Sequence, residues 1–260
     1  MTRLLLAFGL SAALVGCTQK APPAAPNPPA QADATTPPSA DAAPVQAPPA
    51  AQAAAPVDTG PPTGQPIPSR WKADVNYLAV LPAQPTNADA GQVEVLEFLW
   101  LGCPHCYELN PHIEAWKKKL PAYVKFSQVH VTWDAEKQAH AKLFYTITTL
   151  GGDALVVKAF DEIHRKGNYM VANNASATEQ MQLTFAVANG VDAATFRREY
   201  NGFAVNASVQ RANQLMRTYR INQVPTFIVN GKYRTDVSMA GGSDQLMQLL
   251  TDLAASEKTR

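Results

Sequence analysis

The residues of this chain best equipped for chemistry are Cys103-Pro104-His105-Cys106. Two cysteines three apart in the first turn of a helix lie close enough for a disulfide. The first of them also sits over the helix's unsatisfied N–H groups and the positive end of its dipole, which favours thiolate over thiol. Pro104 fits such a helix start, because the N–H it lacks would have had no partner there. A structural zinc site needs four protein ligands, and the only other cysteine is Cys17, so two histidines would have to complete it without a second CxxC. Covalent haem attachment needs CxxCH, and Tyr107 stands where that histidine would be. An inert structural disulfide usually closes a longer loop, where its effect on the unfolded chain is larger. The reading is a redox-active dithiol, with no metal and no cofactor beyond the Cys103–Cys106 disulfide itself.

The elements that must position this pair are legible on either side of it. Val93 to Trp100 is a nearly continuous apolar run, which reads as a buried strand. Behind the pair, Leu109, Ile113, Trp116 and Leu120 follow Cys106 at spacings that keep one helical face. That helix is expected to reach about Leu120, stop at Pro121 and kink at Pro111. Glu97 shares strand parity with Val93, Val95 and Leu99, so it points into an apolar layer, where desolvation would raise its pKa. A partly solvated charge at a strand end is the bland alternative.

The chain has 260 residues, with 22 Lys+Arg against 21 Asp+Glu, and Arg3 is the one charge of the leader. This balance gives no electrostatic footprint for nucleic acid or for a membrane surface. Residues 1–16 read as an export signal, with Arg3, an apolar stretch from Leu4 to Leu14 and then small residues. The stretch is too short to span a bilayer. Leu14-Val15-Gly16-Cys17 resembles a bacterial lipobox, and this implies cleavage before Cys17, which would become the lipidated (diacylglyceryl, palmitate) first residue. An ordinary secretory leader with a chance cysteine is the alternative. Export would place the CxxC in an oxidising compartment. Residues 17–70 are Pro/Ala-rich and reach Trp71 before their first aromatic, so they are expected to be a disordered, polyproline-like tether.

From Trp71 onward the pattern is that of a folded domain. A short strand over Tyr77–Leu81 precedes the buried strand and its helix. Tyr123–Trp133 reads as a further strand, and a helical block occupies residues 136–219. Val224 to Val229, Asn230-Gly231 and Lys232 to Thr235 form a hairpin with a two-residue turn. A last helix runs from Ser243, a plausible N-cap, to about Ala255, burying Leu246, Leu249, Leu250 and Leu253. At this point the chain resembles DsbA-type thiol oxidases, on three motifs: Leu96-Glu97-Phe98, Cys103-Pro104-His105-Cys106 and Val224-Pro225-Thr226. The resemblance covers about Asn76 to the C-terminus. It implies an α/β thioredoxin fold with an inserted helical subdomain: residues 71–135 and 220–260 as the two parts of the thioredoxin fold, and 136–219 as the insertion.

The resemblance also implies roles. Cys103 would be the exposed sulfur that substrates attack, and Cys106 its buried partner. His105 would stabilise the Cys103 thiolate, which makes the disulfide a strong oxidant. Glu97 would assist proton transfer at Cys106. Pro225 would be cis and present the Val224 backbone to an extended substrate by strand addition; an ordinary edge-strand proline is the alternative. The implied partners are unfolded exported proteins with free thiols and a DsbB-like, quinone-linked membrane reoxidant. The expected state is a monomer, anchored by lipid on the periplasmic face of a bacterial membrane. A disulfide isomerase or reductase of the same fold is a second reading. Isomerases of that group resemble dimers built through a folded N-terminal domain, for which the linker offers no material. A non-enzymatic peptide-binding module is a third, and the intact cysteine pair argues against it.

Overall fold

The computed structural model describes residues 64–258. The leader, Cys17 and most of the linker lie outside the described residues. Twelve elements follow in order: β1 (Leu78–Ala79), β2 (Val93–Leu99), α1 (Pro104–Lys117), β3 (Val124–His130), α2 (Ala135–His164), α3 (Ala175–Ala188), α4 (Ala193–Tyr200), α5 (Phe203–Thr218), β4 (Thr226–Val229), β5 (Tyr233–Thr235), α6 (Val237–Ala240) and α7 (Ser243–Ser256). The five strands form one sheet in the order β1-β5-β4-β2-β3. Only β2 and β3 run parallel, and the other neighbours are antiparallel.

All seven residues of β2 are buried, because helices cover both of its faces. Val93 and Val95 pack with Leu109, Ile113 and Trp116 of α1 and with the leucines of α7. Leu96 and Phe98, of opposite parity, pack with Ala212 and Met216 of α5. Leu99 continues into a third cluster that joins both cysteines to Leu143, Phe144, Ile147 and Phe160 of α2. The strand that carries Glu97 is therefore clamped on both sides, and its end delivers the chain to Cys103.

Several boundaries differ from the sequence reading. α1 ends at Lys117, three residues short of Leu120, and continues unbroken through Pro111. Within α2, two helices carrying Ala139–Ile147 and Leu155–Ile163 join across a kink at Gly152, whose φ of 59° and ψ of −154° suit only glycine. By length and composition α2 could cross a bilayer, but its apolar residues are packed in the core. The α7 cap is Gly242, not Ser243, and no side chain caps it. The short α6, capped by Asp236, was not expected. Contact with the fold starts ahead of Trp71: the Gln65 N–H donates to Ala255 O at 3.2 Å, and Ile67 packs against the α1–α7 cluster. The hairpin turn is as expected, with Asn230 and Gly231 both at positive φ, 49° and 65°.

Candidate active site

Cys103 is the N-cap of α1, in extended backbone conformation, and Pro104 occupies the first turn. N-caps usually offer a side-chain oxygen to the first free N–H groups. Here a sulfur does so: the Cys106 N–H donates to Cys103 Sγ at 3.4 Å. No acidic residue sits in this first turn to compete for the helix's positive end. Both cysteines are free thiols, so the geometry is that of the dithiol form. The Cys103 pKa is lowered from 9.0 to about 6, chiefly by the hydrogen bond from the Cys106 thiol, then by the backbone N–H groups of Cys106 and His105, with the His105 charge contributing after them. His105 itself is exposed.

Cys103 is not the exposed residue the sequence reading expected. It is 6% accessible, because it packs into the cluster that also contains Leu101 and Phe160, with Val224 against it. Its Sγ lies 3.8 Å from Val224 O. The Val224–Pro225 peptide bond is cis, and β4 begins immediately after it. The structure thus brings Cys103, Pro104, His105, Cys106, Val224 and Pro225 to one place. Cys17 lies outside the described residues.

Beneath Cys103, Cys106 and Glu97 are each 1% accessible. Burial pushes the Cys106 thiol well above its ordinary range, and the Cys103 hydrogen bond and then the Cys103 charge act in the same direction. Burial likewise raises the Glu97 pKa from 4.5 to about 8. Among the described residues, the one side-chain hydrogen bond on that carboxyl comes from Gln128, whose Nε2 donates to Oε2 at 2.7 Å. The two residues are register partners across the parallel β2–β3 pair. Gln128 also lines a cleft of about 360 Å³ with Lys117, Phe144 and Asp153. Gln128 was not singled out from the sequence. The available signal was its parity with Phe126, which puts an amide on an apolar stripe.

The arrangement pairs a low-pKa sulfur with a deep, high-pKa one, above a protonated carboxyl. That is the layout of a thiol exchange centre. Among the described residues, no group of His, Cys, Asp and Glu could hold a metal ion.

Comparison with known proteins agrees with this chemistry. Residues 94–254 match the family model described as a DSBA-like thioredoxin domain. The thiol:disulfide interchange protein DsbA of Burkholderia cepacia is 39% identical over 179 residues, which is 67% of this chain and 82% of that protein. Its counterpart in Azotobacter vinelandii is 36% identical over 180 residues, 69% of this chain and 81% of that protein. The crystal structure of Pseudomonas aeruginosa DsbA superimposes with a TM-score of 0.63 at 32% identity, covering 69% of this chain and 91% of that one. With a thioredoxin-like sheet, a CxxC helix start and relatives of this similarity, the chain belongs to the DSBA-like thioredoxin-domain family, as a disulfide-donating thiol:disulfide oxidoreductase that works through a redox-active disulfide.

Proposed function

We propose that the chain oxidises newly exported proteins at the periplasmic face of a bacterial membrane, to which a lipid on Cys17 anchors it. A substrate thiolate attacks Cys103 Sγ, the Cys103–Cys106 bond breaks and its electron pair passes to Cys106. A second substrate thiolate then attacks the mixed disulfide, and Cys103 leaves as thiolate. In this reading Glu97 supplies the proton that the deep Cys106 thiolate takes up. Pro104 starts the helix without wasting a donor, His105 adds charge stabilisation, and Val224 with Pro225 offers backbone to an extended substrate. A DsbB-like, quinone-linked membrane protein would restore the disulfide. Residues 71–135 and 220–260 form the redox unit, and 136–219 the helical insertion that walls it.

The observation that supports this best is the asymmetry of the two sulfurs: Cys103 caps the helix and accepts the Cys106 N–H at 3.4 Å, which lowers its pKa, whereas Cys106 lies deeper at 1% accessibility, which raises its own. A stabilised Cys103 thiolate stabilises the dithiol relative to the disulfide, so the disulfide is readily given away. The test is a redox titration against glutathione, joined to trapping with Cys106→Ala. An oxidising couple is expected, with mixed disulfides on Cys103 that persist on non-reducing gels. A strongly reducing couple would place the chain with the reductases instead.

A further inference from the structure

The segment Trp100-Leu101-Gly102 lies directly before Cys103, and three histidines from elsewhere in the chain hold it. The Trp100 Nε1–H donates to His140 Nδ1 at 2.9 Å. The Leu101 N–H donates to His130 Nε2 at 3.0 Å. His164 Nε2–H donates to Leu101 O at 2.8 Å. Acceptance on one nitrogen fixes the tautomer of two of these rings. His140 must donate from Nε2, and does so to Tyr169 O at 2.8 Å. His130 must donate from Nδ1, and does so to Val131 O at 2.8 Å. Both rings are fully buried, and desolvation keeps both neutral. The segment has no slack in packing either. A Cβ on Gly102 would come within 2.5 Å of the Trp100 ring and of the Tyr169 hydroxyl.

We propose that His130, His140 and His164 are positioning residues for disulfide exchange, which fix the Trp100–Gly102 segment in the register that the cysteine pair requires. That register delivers two contacts. The Cys103 N–H donates to Trp100 O at 3.0 Å, closing the turn into α1. With that turn closed, Cys103 Sγ accepts the Cys106 N–H at 3.4 Å. Cys103 Sγ is the atom that a substrate thiolate attacks, so a segment that holds it in place for in-line attack lowers that barrier. Two of the three histidines, His140 and His164, lie near opposite ends of α2, so the helical block is tied to the reacting sulfurs through this segment.

The proposal rests on the Cys103–Cys106 exchange reading, and the test separates the two. His164 stacks on Tyr107, with ring centroids 4.8 Å apart at 11°. His164→Phe keeps an aromatic ring there and loses the donor to Leu101 O. His164→Gln keeps a donor and loses the ring. Each is made in the full chain, and the disulfide form is mixed with reduced glutathione to follow the first attack on Cys103. His164→Phe should slow that step about fivefold, and His164→Gln should stay within about twofold of the unsubstituted chain. Trp100→Phe, which removes the donor to His140, should slow it in the same way and decides the matter if His164→Phe does not fold. Attack at the normal rate in His164→Phe, or equal slowing in His164→Phe and His164→Gln, overturns the clamp. An unsubstituted chain that does not react through Cys103 overturns the exchange reading instead.

Discussion

Glu97 and Cys103 titrate far from their ordinary values, in opposite senses. The native Glu97 carboxyl holds its proton to about pH 8, whereas in the unfolded chain it ionises near 4.5. Between those values the native state binds the extra proton, so this residue's contribution to stability falls as pH rises through the window. Glu97→Gln should therefore gain stability over the unsubstituted chain from pH 5 to pH 8, by on the order of 3 kcal/mol. Denaturant melts of the disulfide form give this directly, since neither cysteine titrates there; parallel curves would mean that Glu97 is not held protonated. For Cys103 the backbone N–H groups and the Cys106 thiol outrank the His105 charge. His105→Ser should still raise the Cys103 pKa and make the couple less oxidising, because whatever stabilises the thiolate stabilises the dithiol. One pKa unit corresponds to about 1.4 kcal/mol and about 30 mV for two electrons, so a change on the order of tens of millivolts or less is expected. Thiolate absorbance and the glutathione equilibrium should shift together, and no change in either would leave the helix start and Cys106 as the whole cause.

At the scale of elements, the hairpin is latched by one carboxylate from the end of the chain. Glu257 is 4% accessible and accepts from Lys232 Nζ at 2.6 Å, Asn230 Nδ2 at 2.9 Å and the Tyr233 hydroxyl at 2.9 Å. Glu257→Ala leaves these donors unpaired. Lys232 keeps partial access to water, so the cost should be about 2–3 kcal/mol, a fall in melting temperature of roughly 4–10 °C. A thermal melt within a degree of the unsubstituted chain would show that water replaces the carboxylate. The hairpin itself could be read from Asn230-Gly231, because that turn chemistry is local. So could β2 and the CxxC helix, whose patterns are set by burial on known faces. What escaped the sequence was set by tertiary contact. β1 keeps only Leu78 and Ala79 because, among the described residues, its sole strand partner is the short β5. The burial of Cys103 depends on Val224, far along the chain. Gln128 finds Glu97 only through the β2–β3 register, and the histidines at 130, 140 and 164 follow no common period; those three meet only because β3 and α2 converge on the segment before the nucleophile.

The described residues have a reactive end and, away from it, an end where the N-terminal segment joins the fold. α1 starts at Cys103, and α7 runs beside it in the same direction: His112 meets Asp244 near its start at 2.9 Å, and Trp116 meets Thr251 further along at 2.9 Å. The Gln65–Ala255 hydrogen bond lies beyond that, at the end of α7, with Arg70 and Trp71 both bound to Asp252. A helix the length of α1 spans about 20 Å, so the N-terminal segment joins the fold roughly that far from the thiols. An anchor on Cys17 would thus hold the domain without touching its chemistry. Cys17→Ser should move the chain from the membrane fraction to the soluble one. The rate of disulfide transfer to a soluble dithiol peptide should be unchanged within about twofold, because no exchange residue lies near the junction. A chain that stays with the membrane after Cys17→Ser would remove lipid as the anchor. A soluble chain that transfers its disulfide markedly more slowly would mean that the segment acts on the thiols, contrary to the separation of the two ends.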